Sequence, residues 1–156
     1  MTRSCPLDYR LAAADMAGPA ALHAETLYVI GGLYGNPEAM AAIERMRQRE
    51  AAAGRDVRLV FNGDFNWFNR DAQNFRRINE AVRPHVAMRG NIEAELARED
   101  NAAGCGCNYP DYVDPGVVRR SDEIFGLLYE TARDFPDVRA WLAGLPGQLV
   151  AAPSHT

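Results

Sequence analysis

The sequence predicts an α/β domain built on a parallel sheet, and three observations carry that expectation. Three short apolar runs, LYVIGG (27–32), VRLVFNGD (57–64) and HVAMRGN (85–91), each stop at glycine and a small polar residue. Their apolar stretches lack a clean alternation, which predicts strands buried on both faces. Between them, apolar residues recur at intervals of three and four, and strand, helix, strand, helix, strand is the grammar of a parallel sheet with crossover helices.

The elements follow in order. The opening MTRSCPLDYRLAAADMAG contains Asp8 and Asp15 and no continuous apolar stretch, so it does not read as a signal peptide. From Pro37 to Glu50, Ala39, Met40, Ile43 and Met46 form a helical stripe, with Asn36 as N-cap and Pro37 at the first helical position. From Asp71 to Val82, Phe75, Ile78 and Val82 repeat likewise behind an Asp71 cap. The pattern then breaks: 98–116, REDNAAGCGCNYPDYVDPG, is rich in glycine, proline and acids and reads as an ordered insertion or lid. A helical segment over 117–145 follows, with Ile124, Leu127, Leu128, Ala132 and Phe135 as one stripe and Val138, Trp141, Leu142 and Leu145 as another. PGQLVAAP predicts a turn and the start of one more strand. The whole, 1–156, is expected to be one domain.

Composition narrows the function classes. A net charge of −4 and a pI near 5.4 argue against nucleic-acid binding, which needs a clustered basic face. Arg76, Arg77 and Arg83 read as a solvated helix surface. No apolar run reaches the roughly 18 residues that span a bilayer, so a cytoplasmic protein without a membrane partner is expected. Cys5, Cys105 and Cys107 are an odd set that predicts reduced thiols rather than a disulfide framework. The pair in CGC suits a packed loop, or a metal or redox pair.

In parallel sheets, ligands bind at the carboxyl ends of the strands, so the loops 31–36, 62–69 and 90–93 are expected to be neighbours. IGGLYG has Ile30 where a dinucleotide fingerprint needs glycine, and no lysine follows as a phosphate-binding P-loop requires. Asn36, Asn62, Asp64, Asn66, Asn91 and Glu93 offer the oxygen ligands that hard cations accept. Asparagine and aspartate also cap helices and tolerate turns, and for Asn36 the cap is the stronger reading. Asp64 differs, because a carboxylate directly behind a buried strand favours pairing with a cation or several donors. The FNWFN run, with Phe65, Trp67 and Phe68, fits either an aromatic stacking platform or the closing of the core over the sheet edge.

The ordered runs YVIGGLYGN, LVFNGDFNWFN and AMRGNIEAEL resemble the calcineurin-like metallophosphoesterases, whose first three signatures are D-x-H-G-N, G-D and G-N-H-[DE]. The resemblance covers about 28 to 95 and implies the parallel-sheet half of an α-β-β-α sandwich, followed here by the helical segment. It implies hydrolysis of a phosphate ester on divalent cations (Mn, Mg, Fe or Zn), with a small phosphorylated ligand as partner. Asp64 matches the metal-bridging carboxylate and Asn91 the amide ligand. Gly35 and Asn36 match the end of the first signature, and Glu93 keeps an acidic position. Gly32 and Tyr34 stand where the first signature has aspartate and histidine, and Ile92 where the third has histidine.

Tyr34, Gly35, Asn36, Asn66 and Glu93 are then the expected pocket residues around a metal held weakly by Asp64 and Asn91. His23 and His85 precede their strands and His155 lies in the tail, so none is an expected ligand. The alternative on the same fold is a non-catalytic protein that binds a small anion or a partner at this edge. A chain that stops as a new strand begins resembles a half-domain, and an uncovered sheet face is expected to promote homodimerisation.

Overall fold

In the computed structural model, the described residues are 13–101, 104, 105, 107 and 109–154. Cys5, Asp8 and His155 therefore lie outside them. After a 3₁₀ turn (Ala13–Ala17), the elements are β1 (Leu22–Ala24), β2 (Thr26–Ile30), α1 (Pro37–Ala52), β3 (Val57–Phe61), α2 (Ala72–Val82), β4 (Val86–Ala87), α3 (Asn91–Ala97), α4 (Pro115–Arg133), α5 (Pro136–Ala143) and β5 (Ala151–Pro153).

The main sheet has the order β2-β3-β4 and is parallel throughout, pairing Tyr28 with Leu59 and Phe61 with Ala87. The α/β class and the parallel crossovers are thus as the apolar runs predict. All three strands are shorter than those runs, because the polar tails turn away from the sheet. Gly63 has φ +78° and Asp64 φ +55°, conformations that end β3 at Phe61. Beyond β4, Met88 N–H still donates to Phe61 O, while Arg89 N–H donates to Pro146 O instead of a sheet neighbour. A second pair, β1 with β5, is also parallel and joins Leu22 to Ala151. The strand expected near the C-terminus is present, and its partner contains His23.

Both helix caps match the sequence. Asn36 Oδ1 accepts from Ala39 N–H at 2.9 Å, and Asp71 Oδ1 from Asn74 N–H at 2.7 Å. The core gathers Leu59 and Phe61 from β3, Phe75, Ile78 and Val82 from α2, Phe125 and Leu128 from α4 and Leu142 from α5. Phe75 and Phe135 rings pack with centroids 5.3 Å apart.

Three burial expectations need correction. The α4 stripe is Phe125, Leu128, Tyr129 and Ala132, whereas Leu127 is 54% exposed. The i, i+3, i+4, i+7 phase that meets α2 and α5 starts at Phe125 and leaves Leu127 on the outer side. The second concerns β2, which is not buried on both faces: Val29 is 61% exposed. β2 is an edge strand, and Leu27 and Val29 lie on the face away from Tyr28 and Ile30, which pack on the core. Met46 likewise leaves the α1 stripe for solvent.

The described part of 98–114 has no helix or strand but is anchored, and α4 starts at Pro115, two residues before the expected start of the helical segment, because Asp114 caps it and Pro115 opens it. Tyr109 and Ser121 hydroxyls are 2.7 Å apart, and Tyr129 Oη donates to Arg98 O at 3.1 Å. No helix among the described residues is long and apolar enough to cross a membrane.

The two strand-end loops after β3 and β4 touch through glycines. A Cβ on Gly63 would lie 2.4 Å from Gly90 N and 2.5 Å from Gly90 Cα, a clash with backbone that no rotamer relieves. Gly54 has a similar φ, +84°, but open space around it. Gly54→Ala is expected to cost about 1 kcal/mol of left-handed backbone strain, and Gly63→Ala about 3 kcal/mol or more. Urea unfolding of both variants checks the difference, and equal losses would show that the loops need not approach so closely.

Candidate functional site

The expected neighbourhood of the three strand-end loops is present, and hydrogen bonds build it. Tyr34 N–H donates to Asp64 O at 3.3 Å and Gly35 N–H to Phe65 O at 2.8 Å, joining the β2 and β3 loops. The third loop is joined by Glu93, the third residue of α3, whose side chain is fully buried. Its Oε2 accepts from Asp64 N–H at 2.6 Å and from Gly90 N–H at 3.2 Å, and its Oε1 accepts from Asn66 N–H at 3.2 Å. The bond to Gly90 is one arm of a capping box, returned to the residue before the helix. Asp64 answers across the same gap, its Oδ1 accepting from Ile92 N–H at 3.2 Å.

These two carboxyls titrate away from their usual range. Burial raises the Asp64 carboxyl, partly countered by the Ile92 N–H. Burial and the nearby Asp64 charge push Glu93 up to about 7, against the lowering effect of its N–H donors. Two adjacent carboxyls in a low-dielectric setting favour a proton or a cation between them.

Beneath the loops runs a ladder of asparagines. Asn66 and Asn79 exchange amide bonds at 3.1 and 2.9 Å, Asn69 Nδ2 donates to Asn66 Oδ1 at 3.2 Å, and Asn74 Nδ2 donates to Asn69 Oδ1 and to Gly35 O, both at 2.7 Å. Asn66 is therefore inside the protein, its amide used by other side chains. Sequence reasoning missed Asn69, Asn74 and Asn79. The available signal was Asn79 itself, a polar residue on the Phe75–Ile78–Val82 stripe.

The remaining expected site residues are placed as follows. Asn36 is exposed and caps α1. Gly35 is buried at φ +66°, and a Cβ there would meet Asn69 Cβ at 2.7 Å. Asn91 opens α3, and its Nδ2 donates to Cys105 O at 3.0 Å with Cys107 Sγ at 3.7 Å. Tyr34 is half-exposed, and its ring covers Gly32: a Cβ on Gly32 would sit 2.3 Å from Tyr34 Cε1 and 2.8 Å from Tyr34 Oη. The space next to the strand end, where a side-chain ligand on residue 32 would begin, is filled by that ring. Phe65 is buried and Trp67 packs on Phe125 with centroids 6.4 Å apart, so these two close the core, while Phe68 remains half-exposed. His85, at the amino end of β4, lies 3.6 Å from Glu44 and away from these loops.

Cys105 is buried and Cys107 half-buried, and neither is in a disulfide. Cys107 N–H donates to Cys105 Sγ at 3.3 Å, and hydrogen bonding from Cys107 lowers the Cys105 thiol.

Asp64 and Asn91 offer one carboxylate and one amide at adjacent strand ends. That set does not fit two closely spaced cations, which need several anionic or imidazole ligands. Among the described residues, no group of three or more histidine, cysteine, aspartate or glutamate side chains is placed to hold a metal ion. No protein-family model, curated protein or solved structure matches the chain.

Two outcomes are expected. The Glu93 carboxyl has a folded value of about 7 against an ordinary 4.5, so the folded state holds more protons between these values and its stability falls as pH rises through that window. Glu44, which Arg47 lowers, acts with the opposite sign and below that window. His85, which burial lowers from 6.5, also acts with the opposite sign, adding stability as pH rises toward that value. In a His85→Gln background the melting temperature should therefore decline from about pH 5 to about pH 7.5, and Asp64→Asn, which removes the neighbouring charge, should shift the decline to lower pH. An unshifted profile would show that the two carboxyls are uncoupled. Asn79→Ala strips the buried Asn66 amide of both reciprocal bonds and should cost about 2–3 kcal/mol in chemical denaturation.

Proposed function

We propose that the strand-end edge is a metallophosphoesterase-like site for a small phosphorylated ligand, with Asp64 and Asn91 as its cation-facing side chains and hydrolysis of a phosphate ester as its reaction. The observation that carries this reading is the carboxylate of Asp64, held directly behind β3 beside the start of α3 by the mutual Asp64–Ile92 and Glu93–Asp64 bonds. A divalent cation (Mn, Mg, Fe or Zn), when bound, would neutralise phosphoryl oxygens and acidify a water. This chain's own residues supply the positioning: Glu93 fixes the backbone of both loops, and the asparagine ladder supports them from below. Tyr34, Gly35 and Asn36 form the β2 side of the edge. A cytoplasmic setting belongs to the same proposal.

The test is uptake of Mn²⁺ and Mn²⁺-dependent hydrolysis of an aryl phosphate by the full chain. Asp64→Asn should lower the metal-dependent rate by about a hundredfold or more, in line with loss of a metal-facing carboxylate. Neither uptake nor turnover in a folded sample would overturn the proposal.

A second reading, non-catalytic binding of a small anion or a partner, is favoured by the Tyr34 ring lying over Gly32. It predicts a thermal shift with phosphate compounds that persists in a chelator, and turnover rejects it. We also propose homodimerisation through the open face of β2, on the exposure of Leu27 and Val29. Sedimentation should show a dimer that Val29→Glu dissociates, and a concentration-independent monomer would reject it.

A further inference from the structure

Among the described residues, three that are not glycine have positive φ: Tyr34 at 54°, Asp64 at 55° and Phe68 at 66°. All three lie at the same strand-end edge. Left-handed backbone is disfavoured for bulky side chains, and such residues persist only where surrounding structure fixes them. For Tyr34 and Phe68 backbone hydrogen bonds do the fixing. Tyr34 N–H is held by Asp64 O, and the turn that holds Phe68 as its third residue is closed by Asn69 N–H on Asn66 O at 3.0 Å.

The strain does not serve burial. Phe65, three residues from Phe68, is fully buried, whereas Tyr34 and Phe68 are each 50% exposed. Their rings meet nearly at right angles, with centroids 6.1 Å apart and an interplanar angle of 77°, and Trp67 backs Phe68 with centroids 4.8 Å apart. Two exposed rings so arranged make a corner. A planar group can stack on one ring while its rim meets the other, which are the two geometries aromatic pairs prefer. The corner is joined directly to the candidate phosphate position, because the Tyr34 backbone is bonded to that of Asp64 and Phe68 lies four residues further along the same loop.

We infer that Tyr34 and Phe68 form a stacking platform for an aromatic ring carried by the phosphorylated ligand, so that the ligand class is an aryl or nucleoside phosphate rather than a sugar or polyol phosphate. This rests on the phosphate-site reading above and adds to it the ring specificity. Stacking tolerates any planar ring, since each has a π face. The platform therefore selects aromatic from aliphatic esters without choosing among bases.

The experiment separates ring from phosphate. Binding of adenosine 5′-monophosphate, ribose 5-phosphate and adenosine to the full chain is measured with Mn²⁺ present, by calorimetry and, in a Trp141→Phe background, by Trp67 fluorescence. The monophosphate should bind about tenfold more tightly than ribose 5-phosphate, a ratio within the range of one stacked base. Phe68→Asn, which accepts left-handed backbone and so keeps the loop, should abolish that ratio while leaving ribose 5-phosphate affinity unchanged. Asp64→Asn should weaken both phosphates and spare adenosine.

Equal affinity for the two phosphates, or Phe68→Asn weakening both alike in a folded sample, would overturn the platform and leave the phosphate site standing. Adenosine binding with no gain from its phosphate would overturn the phosphate-ester assignment while retaining a ring site. No binding of any of the three would overturn both.

Discussion

The structure turns on one buried carboxyl group. Glu93 is the shared acceptor for N–H groups from the β3 loop and from the residue preceding α3, and without it these donors would lose the one carboxyl that draws the two loops together. A carboxyl at full burial is costly in isolation, and the N–H donors offset part of that cost. The partial offset is why its titration sits near neutrality. Everything at the strand-end edge inherits this arrangement: the left-handed turn at Asp64, the start of α3 and the placement of Asn91.

The asparagine ladder does complementary work one layer down. Side-chain amides both donate and accept, so a chain of them can run from α2 through the β3 loop to the β2 loop and leave few polar atoms unmatched. Hydrophobic packing in this position would hold the loops near one another without fixing their registration. The amide ladder, together with the backbone contact between Gly63 and Gly90, sets both distance and orientation.

Much of the fold was legible in the sequence because it depends on local rules. The three strands follow from apolar runs, and the α1 and α2 starts follow from Asn36, Pro37 and Asp71. The proximity of the loops then follows from parallel topology alone. What was not legible depends on which neighbour arrives from far along the chain. The outward turn of Leu127, the exposure of Val29 and the burial of Asn66 are decided by packing partners that leave no local mark. Glu93 shows the limit most clearly: its acidic character at a helix start predicts a cap, but not that the same carboxyl also takes two N–H groups from a loop whose residues lie nearly thirty positions earlier. In the same way, the aromatic run 65–68 separates into core and surface only through backbone conformation, with Phe68 turned out by its positive φ.

The pairing of β1 with β5 has a kinetic consequence. Its parallel register brings Leu22 beside Ala151, so nearly the whole described chain is enclosed between the two partners. The β2-β3-β4 crossovers, by contrast, close over single helices. Closing the largest loop carries the greatest entropic cost and returns only two short strands of contact. The small sheet should then form after the main one, as a clasp on an already assembled layer. It should also be the first part to open in native-state hydrogen exchange, which makes it the place where the two ends of the chain can separate without disturbing the strand-end loops.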